Sequence, residues 1–249
     1  MRKIKLLTFT LIIFGSLFFL FGPEVLPENV QFEKLLNSAS QSDVIIIFNS
    51  GGWGNTPLEK SDDFAPIIKG IEKTLNEWGL NAIVIPYERT EDGFLGKITG
   101  AKEIIKSLPE PSEKLAKEIK KFLEENPGKK VIMAGLSNGA AFVDKTIRQL
   151  NEFQNSVLAI EVGVPFWEQT FNSENILSLN NEGKDSFSKG EMKTLLFTLL
   201  KTPLNWMEAK ISGQNLPFAR AFQAPGHDYS WSSPEVGPKI VNFLAGKIH

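Results

Sequence analysis

Three residue types in this chain can act on an acyl group if the fold brings them together: a serine in a glycine-flanked turn, one internal histidine and a carboxylate between them. Ser137 is the centre of Gly135-Leu136-Ser137-Asn138-Gly139, which fits G-x-S-x-G. A serine at a sharp strand-to-helix turn has its hydroxyl lifted above the sheet edge, and the flanking glycines keep that turn free of side chains. A hydroxyl is a weak nucleophile and needs a general base. The chain has two histidines, and one of them, His249, is the last residue. His227, in "QAPGHDYSW", is therefore the internal candidate, and it lies downstream of Ser137 as a base should.

An imidazole acting as base needs an acid to fix its tautomer. In chain order that acid belongs between Ser137 and His227, just past a strand. "NILSLNNEGKDSFSKG" offers Asp185, in a G-x-D-x-x-S turn, as first choice and Glu182 as runner-up. Asp144 is expected on the exposed side of the helix after Ser137, and Asp228 adjoins the base; both are read as structural or solvated. The backbone N–H of Asn138 is the first expected oxyanion donor, because it opens a helix. The second is expected from "FNSGGWGNTP", through Gly52 or Trp53. Its glycines, Gly51, Gly52 and Gly54, permit close approach of main chain to a ligand. No G-K-[ST] follows, which excludes a nucleotide P-loop. Gly51, Trp53, Tyr87 and Tyr229 are candidates for lining a substrate pocket, against the alternative of ordinary packing. Arg89 is expected to hold a local carboxylate or an anionic substrate group.

The elements that must position these residues follow from hydropathy pattern. Strands are expected at Asp43–Gly52, Asn81–Glu88, Lys129–Ser137, Ser156–Pro165, Asn175–Asn181 and, as a sixth, over "FARAFQAPGH" (218–227). Helical patterns alternate with them: after Ser61, before Pro127-Gly128, from Asn138, and a closing helix after Ser233-Pro234. Strands alternating with helices predict an α/β fold, a mostly parallel doubly wound sheet of about six strands with helices on both faces. Ligands bind such sheets at the strand carboxyl ends, where the candidates fall.

Composition narrows the chemistry. The chain has 249 residues, 42% of them hydrophobic and 22% charged, which suits one α/β domain. A formal net charge of -2, with basic residues spread along the chain, gives no nucleic-acid footprint. Cysteine is absent, which removes disulfides and thiolate chemistry. With two histidines, a histidine-rich metal site is not expected, and no cofactor is implied.

The N-terminus reads as a targeting segment. Arg2, Lys3 and Lys5 precede an uncharged run of 17 residues, Leu6 to Gly22, and Glu24, Glu28 and Glu33 follow. Basic before and acidic after places the bulk of the chain outside the cytoplasm. Residues 1–22 are expected to be a signal anchor, with a cleaved signal peptide as the alternative, and residues 23–42 a tether. The domain then covers 43–249. Residues 186–216, more apolar than a solvated helix requires, are expected as a lid or insertion, or as a helix packed on the sheet and kinked at Pro203.

The elbow "GLSNG", the glycine loop "SGGWG", an acid after a late strand and "PGHDYSW" near the end come in one order. In that order they resemble the α/β-hydrolase superfamily, in a compact, lipase/esterase-like version of cutinase-like size. The resemblance covers Asp43 to the C-terminus. It implies a serine hydrolase cleaving a carboxylic ester or thioester through an acyl-enzyme, on a small-molecule or lipid acyl substrate. The same fold also carries acyltransferases and non-catalytic surface binding proteins, which stay open as alternatives. "FNSGG" departs from the His-Gly that many lipases carry at the oxyanion loop.

Overall fold

The structure is a computed structural model and describes residues 30–90, 110–213 and 224–248. The expected targeting segment at 1–22, His249 and most of the expected sixth strand lie outside the described residues. Among the described residues, five strands form one sheet: β1 (Val44–Asn49), β2 (Ala82–Pro86), β3 (Lys130–Leu136), β4 (Val157–Val162) and β5 (Ile176–Leu179). Their order is β2-β1-β3-β4-β5, and every pairing is parallel.

The described helices, in chain order, are α1 (Val30–Ser38), α2 (Ala65–Glu77), α3 (Glu110–Glu125), α4 (Asn138–Ile147), α5 (Ser186–Lys189), α6 (Met192–Ile211) and α7 (Gly237–Ile248). Parallel pairing requires crossover connections: α2, α3 and α4 lie in those from β1 to β2, β2 to β3 and β3 to β4, while residues 163–175 join β4 to β5 without a helix. The β-branched run of β1 is buried along its whole length, as a strand covered on both faces must be. Its side chains alternate between two cores. Ile45 and Ile47 join Val131, Met133, Leu115, Ile119 and Phe142 beneath α3 and α4. Val44, Ile46 and Phe48 join Ile67, Ile71, Ile132, Ile240 and Leu244 beneath α2 and α7. The sheet is thus wound on both faces, as the alternating pattern predicted.

One boundary differs from expectation. Residues 30–41, read as part of a tether, are packed structure: Phe32 and Leu36 of α1 are buried in the first core. The Phe32 ring meets Tyr87 edge-on with centroids 4.9 Å apart. The amphipathic spacing of "VQFEKLLNS" is what seats it, with apolar residues four apart on one face.

Register brings the strand ends level. Asn49 pairs with Gly135, Gly135 with Glu161, and Leu136 with Val162, while Val162 pairs with Leu179. The segments leaving β1, β3, β4 and β5 therefore emerge along one carboxyl edge.

Candidate active site

Ser137 occupies the turn between β3 and α4 with φ 53° and ψ −118°. A non-glycine residue held at positive φ is strained, and the surroundings must enforce it. They do so through close packing. A Cβ on Gly135 would lie 2.3 Å from the Gly139 carbonyl oxygen, and one on Gly139 would lie 2.4 Å from that of Asn49. Both glycines of G-x-S-x-G are thus required by backbone-to-backbone approach, of α4 to β3 and of α4 to β1. The Ser137 N–H donates to the Val162 carbonyl at 2.8 Å, tying the elbow to the end of β4.

Asp185 is fully buried and caps α5. Its two oxygens divide the work. Oδ1 accepts the backbone N–H groups of Phe187 (2.8 Å) and Ser188 (3.2 Å), fixing the carboxylate to the helix start. Oδ2 meets His227 Nδ1 at 2.7 Å and accepts from the Tyr229 hydroxyl at 2.6 Å and the Ser188 hydroxyl at 2.9 Å. Burial would raise this carboxyl's pKa. The hydrogen bond and charge of His227, with the Tyr229 and Ser188 donors, outweigh that and hold it down at about 2. Donors that favour the carboxylate keep it ionised against desolvation. The Tyr229 phenol is pushed in the opposite direction, upward, by burial and by its bond to the Asp185 anion.

The histidine loop is docked on the acid loop. Pro225 O accepts from the Ser186 N–H (3.0 Å) and hydroxyl (2.8 Å), and Gly226 O accepts from Asn181 Nδ2 (3.0 Å). Gly226 lies at φ 78°, and a Cβ there would sit 2.1 Å from the Lys184 carbonyl oxygen. At the other side of the ring is Gly163, the residue after Val162: a Cβ on it would fall 2.7 Å from His227 Cε1. One short backbone stretch, Val162–Gly163, therefore holds the Ser137 amide with one residue and abuts the His227 ring with the next. With Nδ1 engaged by Asp185, Nε2 is the ring nitrogen left to exchange a proton with a reactant.

The glycine loop after β1 is held by its carbonyls. Asn138 Nδ2 donates to Gly52 O at 3.2 Å, and Thr90 Oγ1 to Trp53 O at 2.6 Å. Arg89 Nη2 donates to Ser50 O at 2.9 Å, and the Arg89 N–H to Gly54 O at 2.9 Å. The Arg89 guanidinium is buried, lies over the Phe142 ring at 5.3 Å, and fills the space where a Gly54 Cβ would be. A trans peptide points its N–H opposite its C=O, so anchoring the Gly52 carbonyl also fixes the direction of the Trp53 N–H. Gly51 packs on Leu136, the last residue of β3, whose carbonyl oxygen a Cβ would meet at 3.2 Å.

Several sequence-based expectations are corrected. Glu182 does not approach His227's carboxylate position; it is half exposed and pairs with Lys184 (3.8 Å) and Lys239 (3.9 Å). Tyr87 lines no pocket: it is a core residue, sandwiched between Phe32 and Phe142, because its ring follows β2 into the face covered by α3 and α4. Tyr229 is buried as a donor to Asp185 instead of lining a pocket. Asp144 is buried, not exposed; it pairs with Arg148 and accepts the Phe171 N–H at 2.6 Å. Arg89 anchors carbonyls of the glycine loop. Trp53 is partly exposed, and its carbonyl is held by Thr90. Sequence reasoning missed Gly163, Ser188 and Gly226 altogether. Ser188 was visible in the G-x-D-x-x-S pattern, since an N-cap aspartate faces the residue three positions on.

Among the described residues, no group of three or more histidine, aspartate or glutamate side chains could hold a metal ion. No protein-family model matches the chain, and no curated protein matches it. Among solved structures it is similar to Trichoderma reesei cutinase in complex with a C11Y4 phosphonate inhibitor. The two are 14% identical, with a TM-score of 0.46, over 64% of this chain and 75% of the cutinase chain. The parallel sheet and its flanking helices are those of an α/β fold.

Proposed function

We propose that the protein is a serine hydrolase acting on a carboxylic ester or thioester. The observation that carries this reading is the Asp185–His227 pair at 2.7 Å, on a loop that abuts the same β4 end that holds the strained Ser137 elbow. Ser137 Oγ attacks the acyl carbon as His227 Nε2 takes its proton. Asp185 holds Nδ1–H and stabilises the imidazolium that forms. The tetrahedral oxyanion is met by the N–H of Asn138 at the start of α4 and by that of Gly52 or Trp53. His227 returns the proton to the departing alcohol or thiol, leaving an acyl-serine. Water, activated by the same imidazole, releases the acid and restores the hydroxyl. Every step uses groups of this chain and needs no cofactor.

The N-terminal run is assigned as a membrane anchor, with the catalytic unit outside the cytoplasm. Its support is the basic start, the uncharged 17 residues and the acidic residues that follow.

The test is covalent labelling. Full-length protein in mild detergent is incubated with a fluorophosphonate, alongside folded Ser137→Ala. The parent takes the label and the variant does not. Labelling that is absent or equal in the two folded proteins would sink the hydrolase reading and leave a non-catalytic binding protein. Acyl transfer to an added alcohol in preference to water would reassign it as a transferase.

A further inference from the structure

Helix α6 is amphipathic in the wrong sense for a helix packed on a protein. Its buried residues include Leu195, Thr198, Thr202 and Ala209, three of them small or hydroxylic. The two threonines satisfy their own hydroxyls on the helix, Thr198 to Thr194 O and Thr202 to Thr198 O, each at 2.9 Å. The large apolar side chains point the other way. Met192, Leu196, Leu200, Leu204, Met207 and Ile211 are 53% to 83% exposed. At 100° per residue they fall within an arc of about 120°, one continuous stripe along the helix. A stripe of that size on a soluble surface marks an interaction site.

Its surroundings identify the occupant. Lys201 and Lys210 flank the stripe on opposite rims, each lying over an aromatic ring: Lys201 Nζ is 4.3 Å from the Phe197 centroid and Lys210 Nζ 4.7 Å from that of Trp206. Lys193 adds a third cation against one acid, Glu208, within the helix. An apolar stripe with aromatic and lysine margins fits a lipid–water boundary, where the stems bury and the ammonium groups stay wet. No described helix is long and apolar enough to cross a membrane, so α6 would lie on a bilayer rather than span it. The chain outside the described residues supplies the bilayer: between the end of the uncharged run at Gly22 and Val30 of α1 stand residues 23–29, a reach of roughly 25 Å. The stripe is also continuous with the site. From Met192 it passes Gly190, against which Phe166 packs, to the exposed Trp167, then to Phe187 and His227, through ring contacts of 5.0 to 5.2 Å.

We infer that the exposed face of α6 lies on the lipid bilayer that holds the N-terminal run, giving the enzyme two membrane contacts and presenting the His227 side of the site to acyl chains at that surface. This rests on the anchor assignment. A short tether makes the second contact intramolecular, so a face too weak to bind vesicles alone is held down once the anchor is inserted.

The lack of cysteine makes the test clean. Full-length protein with Leu200→Cys, Leu196→Cys or, as a control on α2, Lys73→Cys carries one environment-sensitive dye. Each is reconstituted in phosphatidylcholine–phosphatidylglycerol vesicles brominated on the acyl chains. Dyes at 196 and 200 are expected to lose most of their emission, and the dye at 73 to keep it. Adding Leu204→Glu and Met207→Glu is expected to restore emission at 196 and 200. Equal emission at all three sites, with Ser137 still taking the fluorophosphonate, overturns the docking face and leaves the hydrolase reading standing. Quenching that survives both glutamates overturns it too, as does a dimer whose dyes are shielded from lipid, which would assign the face to a second copy.

Discussion

At the scale of single residues, the proposed mechanism turns on which acid faces the histidine. Asp185 and Glu182 are three residues apart, and both follow β5, so sequence order could not separate them. Burial does. Asp185 spends one oxygen on the α5 cap and turns the other to His227, Tyr229 and Ser188. Glu182 sits half exposed among lysines. Asp185→Asn keeps the cap but presents an amide to Nδ1, favouring the wrong tautomer, and kcat for a soluble ester should fall by about three to four orders of magnitude. Glu182→Gln should leave kcat within about twofold, since an exposed pair contributes little. Steady-state kinetics on the two variants decide this, and the reverse ranking would remove Asp185 from its role. The Ser137 turn and the Asp185–His227 pair were legible in the sequence, because chain order and turn context point to them. Gly163, and the role of Tyr229 as a donor to Asp185, were not, because both lie in contacts across 64 and 44 residues of chain, and no spacing rule encodes that.

At the scale of elements, β4 carries a group that hydropathy alone would not place there. Glu161 is fully buried on the face of β4 that lies under α4. Oε2 accepts from the Ser178 hydroxyl at 2.7 Å, while Oε1 has no partner. Burial pushes its pKa up to about 8; Ser178 opposes this, the Asp144 charge adds to it, and Arg148 opposes it. The carboxyl therefore keeps its proton in the folded protein at neutral pH, whereas an ordinary glutamate in the unfolded chain loses it above pH 4.5. Between those values the folded state binds more protons, so stability falls as pH rises from 4.5 to 8 and levels off above. Glu161→Gln retains a neutral polar group of the same shape and should abolish that slope, raising stability at pH 8 relative to pH 4.5 by about 2–4 kcal/mol. Urea unfolding at both pH values measures it; parallel slopes in parent and variant would show that Glu161 is ionised where it stands. The strands themselves were readable from β-branched runs, and a Glu inside "VLAIEV" is still compatible with a strand. What the sequence could not show is that α4 closes over this position, because helix-on-sheet packing is a long-range event.

At the scale of the whole molecule, the folded unit begins earlier than its strand pattern suggests. The first β-branched run starts at Val44, and the residues before it look like a linker when read for composition. Yet α1 inserts Phe32 and Leu36 into the core beneath α3, and it is their removal from water that joins residues 30–38 to the sheet. Each buried side chain of this size contributes about 1.5–3 kcal/mol, so the pair contributes about 3–6 kcal/mol. A chain beginning at Asp43 should lose most of that relative to one beginning at Val30, exposing Tyr87 and Leu115 to solvent. Phe32→Ala in the longer chain should cost about 3–5 kcal/mol through the cavity it leaves beside Tyr87. The two urea midpoints and the variant's form one test. Equal stability of the short and long chains would return residues 30–38 to the role of linker. On the proposed anchoring, it would also lengthen the tether to the sheet, and with it the distance the α6 face could stand from a bilayer. The packing of Phe32 and Leu36, which fixes α1, would then set how tightly the body could be held there.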